Sequence, residues 1–227
     1  PGGPKPCGDG QTPNPVDISS GNKYQSRIDY TGSGQFPITF GVYFNSLNTV
    51  DTNYFNAHWT HDYSRSLSIS IDNITGPWGV LSDQWILAKR DDGSAYRFIK
   101  DGSDIFRDRD GSSPMYLEEL AGANQEHWKL TNPGKFIEFY DQNGLFLRVV
   151  DIATNLEQKL SYNGNQVTIQ HTNGDSLTLQ YPSGAITTAH DNFVSTRFPA
   201  PVSAILTLAG QFDYSFNTTN TRLETVT

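Results

Sequence analysis

From Leu67 onward, long stretches of the chain alternate apolar and polar residues with a period of two. Leu67, Ile69 and Ile71 share one parity, and Ser66, Ser68 and Ser70 the other. Leu160 and Tyr162 oppose Lys159 and Ser161. Val167, Ile169 and His171 oppose Gln166, Thr168 and Gln170, and Leu177, Leu179 and Tyr181 oppose Ser176, Thr178 and Gln180. Successive side chains of a strand point to opposite faces, so each run predicts a half-buried strand. Turn dipeptides punctuate the runs: Asp92-Gly93, Asp101-Gly102, Asp110-Gly111, Asn143-Gly144, Asn163-Gly164, Asn173-Gly174 and Ser183-Gly184. Asn-Gly and Asp-Gly tolerate positive φ and favour type I′ hairpin turns. The expected fold is all-β, an antiparallel meander of successive β-hairpins with little helix. One face should be apolar or aromatic, and the other amide and hydroxyl.

Three segments break the pattern. Ser113–Ala121, with Pro114 near its start and Glu118 and Glu119 within it, predicts a short helical turn. Ala204–Ala209 is apolar at both parities and predicts a strand covered on both sides. Phe193 to Pro201 lacks alternation and reads as a connection. Residues 1–15, rich in Pro and Gly, read as a flexible arm. The start at Pro1 is expected of a processed or excised chain, and the strand-like end at Thr227 of an array that continues.

Composition narrows the function classes. The 16 Lys plus Arg against 24 Asp plus Glu give a net charge of -8. Such a chain repels phosphate backbones, so no nucleic-acid partner is expected. The one cysteine, Cys7, allows no intrachain disulfide and no multi-cysteine zinc motif. No apolar run reaches the length of a membrane-spanning helix.

Several segments carry a resemblance. Tyr140-Asp141-Gln142-Asn143-Gly144-Leu145 resembles the core of the YD repeat of RHS-repeat proteins, with looser echoes at Tyr162-Asn163-Gly164, Tyr181-Pro182-Ser183-Gly184 and Phe216-Asn217 through Arg222-Leu223. Upstream, Asn14-Pro15-Val16-Asp17-Ile18, Gly21-Asn22-Lys23, Asp29-Tyr30, Pro37-Ile38-Thr39-Phe40, Phe44-Asn45-Ser46 and Trp59-Thr60-His61-Asp62-Tyr63 follow in order. That series, with the hairpin Trp85–Phe98, is similar to the domain preceding the repeats in RHS proteins. Two positions depart from the family pattern: Val42 stands where an Arg is usual, and His58 where a Gly usually precedes the Trp. The resemblance implies residues 16–151 as an RHS-type N-terminal β domain and residues 152–227 as YD-like hairpin repeats. It further implies a non-catalytic segment of a secreted or surface bacterial β-shell that helps enclose a toxin or other cargo. The implied partners are the remainder of the same polypeptide and its cargo.

Candidate chemistry stands beside that expectation. His58 and His61, next to Asp62, are the best metal-ligand pair, but separation by three on a strand puts them on opposite faces, so no metal and no cofactor is expected. The acids Asp91-Asp92, Asp108 with Asp110, and Glu118-Glu119 would serve a glycosidase only as two carboxylates facing across a cleft. Most lie beside turn glycines, where Asp caps the turn, and no catalytic residue is assigned. Trp59, Trp78, Trp85 and Trp128 are expected mainly in the core. Trp78, in Gly76-Pro77-Trp78-Gly79, is the candidate ligand-binding residue of an alternative carbohydrate-binding or adhesive module, with a surface glycan as partner.

Overall fold

The computed structural model describes residues 16, 21–47, 58–76, 79–101, 104–121, 125–181, 204–207, 210–216 and 223–226, with side chains described outside 71–83, 204, 210, 212, 214–216 and 223–226. The predicted arm at 1–15, the connection at 193–201 and Trp78 lie outside the described residues. Every described element is a strand. Strands β1 (Tyr24–Thr31), β2 (Thr39–Asn45) and β3 (Trp59–His61) form a small sheet in that order. A second sheet of fourteen strands follows the chain: β4 (Ser66–Gly76), β5 (Gly79–Lys89), β6 (Ala95–Lys100), β7 (Ile105–Asp108), β8 (Tyr116–Glu119), β9 (Trp128–Asn132) and β10 (Phe136–Tyr140) come first. It continues through β11 (Phe146–Asp151), β12 (Glu157–Asn163), β13 (Gln166–His171), β14 (Ser176–Gln180), β15 (Ala204–Thr207), β16 (Gly210–Phe216) and β17 (Leu223–Val226). Each strand pairs antiparallel with the next, as the alternation and turn signals require.

Parity decides the core. Leu67, Ile86, Phe98, Phe106, Leu117, Leu130, Leu160, Ile169 and Leu177 are buried on one face of the long sheet, while Lys159, Ser161 and Gln170 are exposed on the other. Buried aliphatic and aromatic side chains contribute about 1.5–3 kcal/mol each, so this face drives folding.

Two sequence expectations are corrected. Tyr116–Glu119 is strand β8 and not a helical turn. Its alternation, Leu117 buried between Tyr116 and Glu118, pairs it with β7 and β9, and that pairing outweighs the start signal of Pro114. On β15, Ile205 is fully buried but Leu206 is 36% exposed, so its second side is open.

The turn geometry also differs from type I′. Gly93, Gly144 and Gly174 have positive φ, whereas the Asp or Asn before each does not. Each Gly N–H returns to the residue three back, at Arg90, Asp141 and His171, and the flanking pairs close at Arg90–Ser94, Asp141–Leu145 and His171–Asp175. These are three-residue hairpins in which only the last loop residue is left-handed. The residue before the loop caps the N–H of its second residue in two of them. Asp141 Oδ1 accepts the N–H of Asn143 at 2.8 Å and of Leu145 at 2.7 Å. His171 Nδ1 accepts the Asn173 N–H in the same way.

The long sheet rolls on itself. Six strand-to-strand steps of about 4.8 Å would place β4 and β10 about 29 Å apart in a flat sheet. Instead Ser66 bridges Leu145, at the end of the β10–β11 turn, and the Leu67 N–H bonds the Gly144 carbonyl at 2.9 Å. The three-stranded sheet lies over the apolar face farther along, burying Ile38, Phe40 and Val42. Gln158 of β12 donates to the carbonyls of Phe36 and Pro37, and accepts from the Tyr63 hydroxyl at 3.2 Å.

Candidate functional site, a buried ionic junction

Where the roll closes, three charged residues occupy positions of apolar parity. Arg65 shares the parity of Leu67, Arg90 that of Ile86 and Ala88, and Glu138 that of Phe136 and Tyr140. The register therefore turns all three onto the buried face. Glu138 is fully buried, and Arg90 is 7% exposed.

The carboxylate of Glu138 is saturated. Oε1 accepts Arg65 Nη1 at 2.6 Å and Arg90 Nη2 at 2.7 Å, and Oε2 accepts Arg90 Nη1 at 2.6 Å and the Tyr140 hydroxyl at 2.7 Å. Arg65 spans to the β5–β6 turn through Asp91 Oδ2 at 2.6 Å. Phe136 and Phe146 lie against the Arg65 guanidinium, and Phe136 also against that of Arg90. Burial disfavours the charge on Glu138, but Arg90 and Arg65 outweigh it and hold the carboxyl down at about 2. A carboxylate without a proton or a free lone pair is suited to fastening elements together. The junction ties the start of β4, the β5–β6 turn and β10.

A second buried polar group organises the three-stranded sheet. Asp62 accepts the Gly41 N–H at 2.7 Å, the Thr39 hydroxyl at 2.8 Å and the Tyr43 hydroxyl at 2.6 Å. Burial raises its pKa against the lowering effect of these donors. A β-carbon at Gly41 would sit 2.8 Å from the Tyr43 hydroxyl, so the bare backbone is what lets that ring fold over β2.

The singled-out residues separate in space. His61 is buried, stacked on Phe40 and within 3.4 Å of the Tyr181 hydroxyl, and its desolvation lowers the pKa to about 3. His58 has φ 70 and its ring lies against Phe44. This left-handed backbone falls where the resembled pattern carries Gly, and here His58 adopts it in place of Gly. Among the described residues no three His, Cys, Asp or Glu side chains cluster as a metal site. Glu118 pairs with Lys129 and the adjacent Glu119 with His127, on opposite faces of β8. Asp108 caps Ser112 and Ser113, and Asp92 caps the Ser94 N–H. Trp128 is buried against Phe106, while Trp85 lies on the other face under Arg97.

Sequence reasoning missed Arg65, Arg90 and Glu138. The signal was available: each is a charge two residues from an apolar or aromatic member of an alternating run. No helix among the described residues is long and apolar enough to cross a membrane.

No curated protein matches the chain. A family model described as a domain of unknown function (DUF6531) matches residues 13–98, the stretch that carries the three-stranded sheet and the opening of the rolled one.

Proposed function

We propose that this chain is a non-catalytic wall segment of a secreted or surface RHS-type β-shell, and that its three-stranded sheet closes one end of that wall. The observation that supports this reading is the small sheet seated on the apolar face of the long meander. Phe40 and Val42 are fully buried there, and Gln158 and Tyr181 bond across to Phe36, Pro37, Tyr63 and His61. A meander whose apolar face is filled at one end has the form a container needs where it must be sealed. Single hairpin units cannot bury their apolar face alone, so each is covered by its neighbours or by the seated sheet.

The test uses the intact natural polypeptide with its cargo segment. Val42→Asp places an unpaired charge under the small sheet and should release it, seen as faster hydrogen exchange in β2. The cargo, resistant to added protease in the parent, should then be digested at the rate of the free segment. Loss of β2 protection without any change in cargo digestion would rule the reading out. So would glycan hydrolysis by the purified chain.

A further inference from the structure

The chain carries three described Asn-Gly pairs, at Asn143, Asn163 and Asn173, and the fold treats them differently. Asn-Gly is the dipeptide most prone to succinimide formation, because the Gly nitrogen approaches the Asn side chain without hindrance. The step needs a Gly N–H free of hydrogen bonds and an Asn amide able to rotate onto it.

At Asn143 the first requirement fails, and the glycine backbone is pinned. The Gly144 N–H is bonded to the Asp141 carbonyl at 3.0 Å, and its carbonyl is held by the Leu67 N–H at 2.9 Å. The backbone is pressed so closely on β4 that an added β-carbon would meet the Leu67 oxygen at 2.0 Å. At Asn173 the Gly174 N–H is bonded to the His171 carbonyl at 3.0 Å. The Asn173 amide is also held at both ends. Its Oδ1 accepts the Asp175 N–H at 2.8 Å, and its Nδ2 donates to Asp175 Oδ2 at 3.1 Å and to the Ser33 carbonyl at 3.5 Å.

Asn163 differs on each count. It pairs with Gln166 across a two-residue turn, Gly164-Asn165, in which only Gly164 has positive φ. In that geometry the Gly164 N–H lies outside the ladder and faces solvent. Asn163 and Gly164 are both exposed, nothing lies within 4 Å of a β-carbon built on Gly164, and among the described residues the Asn163 amide makes no hydrogen bond.

We infer that Asn163 is a self-modification site, where the folded chain converts Asn to aspartate and isoaspartate while the other two Asn-Gly pairs are protected. The Gly164 nitrogen gives its proton to solvent and attacks Asn163 Cγ. A C–N bond forms, the Cγ–Nδ2 bond breaks, and ammonia leaves. Water then opens the succinimide at either carbonyl, with no change in oxidation state. Either product adds a negative charge at the tip of the β12–β13 hairpin, and isoaspartate adds a backbone methylene beside the terminal pair with Gln166. The inference is independent of the shell reading.

The test is incubation of the folded chain at mildly alkaline pH in heavy-oxygen water, followed by peptide mass spectrometry and isoaspartyl methyltransferase labelling. Label should enter the Asn163 peptide at least about tenfold faster than the Asn143 and Asn173 peptides. Unfolding in urea should bring the three rates together. Asn163→Gln should abolish the fast labelling at this exposed position. Equal rates at all three sites in the folded chain, or faster labelling at Asn143 or Asn173, would overturn the inference.

Discussion

Glu138 is excluded from solvent yet charged, because two guanidinium groups and a phenol replace its water. Removing one member of a buried ion cluster leaves the others uncompensated, at a cost of about 3–5 kcal/mol. Glu138→Gln should therefore lower the urea midpoint substantially. Replacing Glu138 and Arg90 together with Leu and Met should restore much of the loss, since an apolar core needs no counter-charge. The second residue-scale prediction concerns Gly144. Its φ of 80 and the Leu67 backbone atoms that a β-carbon would strike cannot be accommodated by a rotamer change. Gly144→Ala should cost about 3 kcal/mol or more. Gly164→Ala, with left-handed φ but open space, should cost only about 1–2 kcal/mol. Chemical denaturation of the two variants side by side checks the contrast.

Among the elements, the three-residue hairpin recurs with a different capping group each time: Asp92 in the β5–β6 turn, Asp141 between β10 and β11, and His171 between β13 and β14. The cap satisfies loop N–H groups that the ladder leaves out, which is the physical content of the aspartate in the Tyr140-Asp141 pair. Asp141→Ala removes an acceptor shared by two N–H groups and should cost about 1–2 kcal/mol. Hydrogen exchange should quicken at Asn143 and Leu145 first. Alternation made these hairpins readable, but not their turn type. Asn-Gly and Asp-Gly serve a loop with one left-handed residue as well as one with two, and the choice rests on the register of the flanking strands.

For the whole molecule, buried ionisable groups set the response to acid. His61 titrates near 6.5 when unfolded but only at about 3 in the fold. Between those values the unfolded chain binds the extra proton, so stability falls as pH drops through that window. Glu138, lowered from 4.5 to about 2, adds stability above its unfolded value that is lost as pH falls toward 2. Asp62 acts in the opposite sense: its raised pKa lets the fold bind a proton above 3.8, which offsets part of the loss. Urea midpoints measured from pH 7 to pH 3 should decline. His61→Gln should flatten the upper part of the decline, and Glu138→Gln the lower part.

Local pattern was enough to determine the strands of the alternating runs and their apolar face, though not β8, because period-two alternation and glycine-punctuated turns act between residues close in the chain. It could also have located the ionic junction, since Arg65, Arg90 and Glu138 sit at apolar parity. What it could not supply was their meeting. Arg65 and Glu138 are 73 positions apart, and only the roll that brings β4 to the β10–β11 turn places them 2.6 Å from each other. The seating of the small sheet on β12 and β14 was decided the same way. Burial of a shared apolar face rewards packing without naming the partner, so the choice of which surface covers which belongs to the tertiary structure.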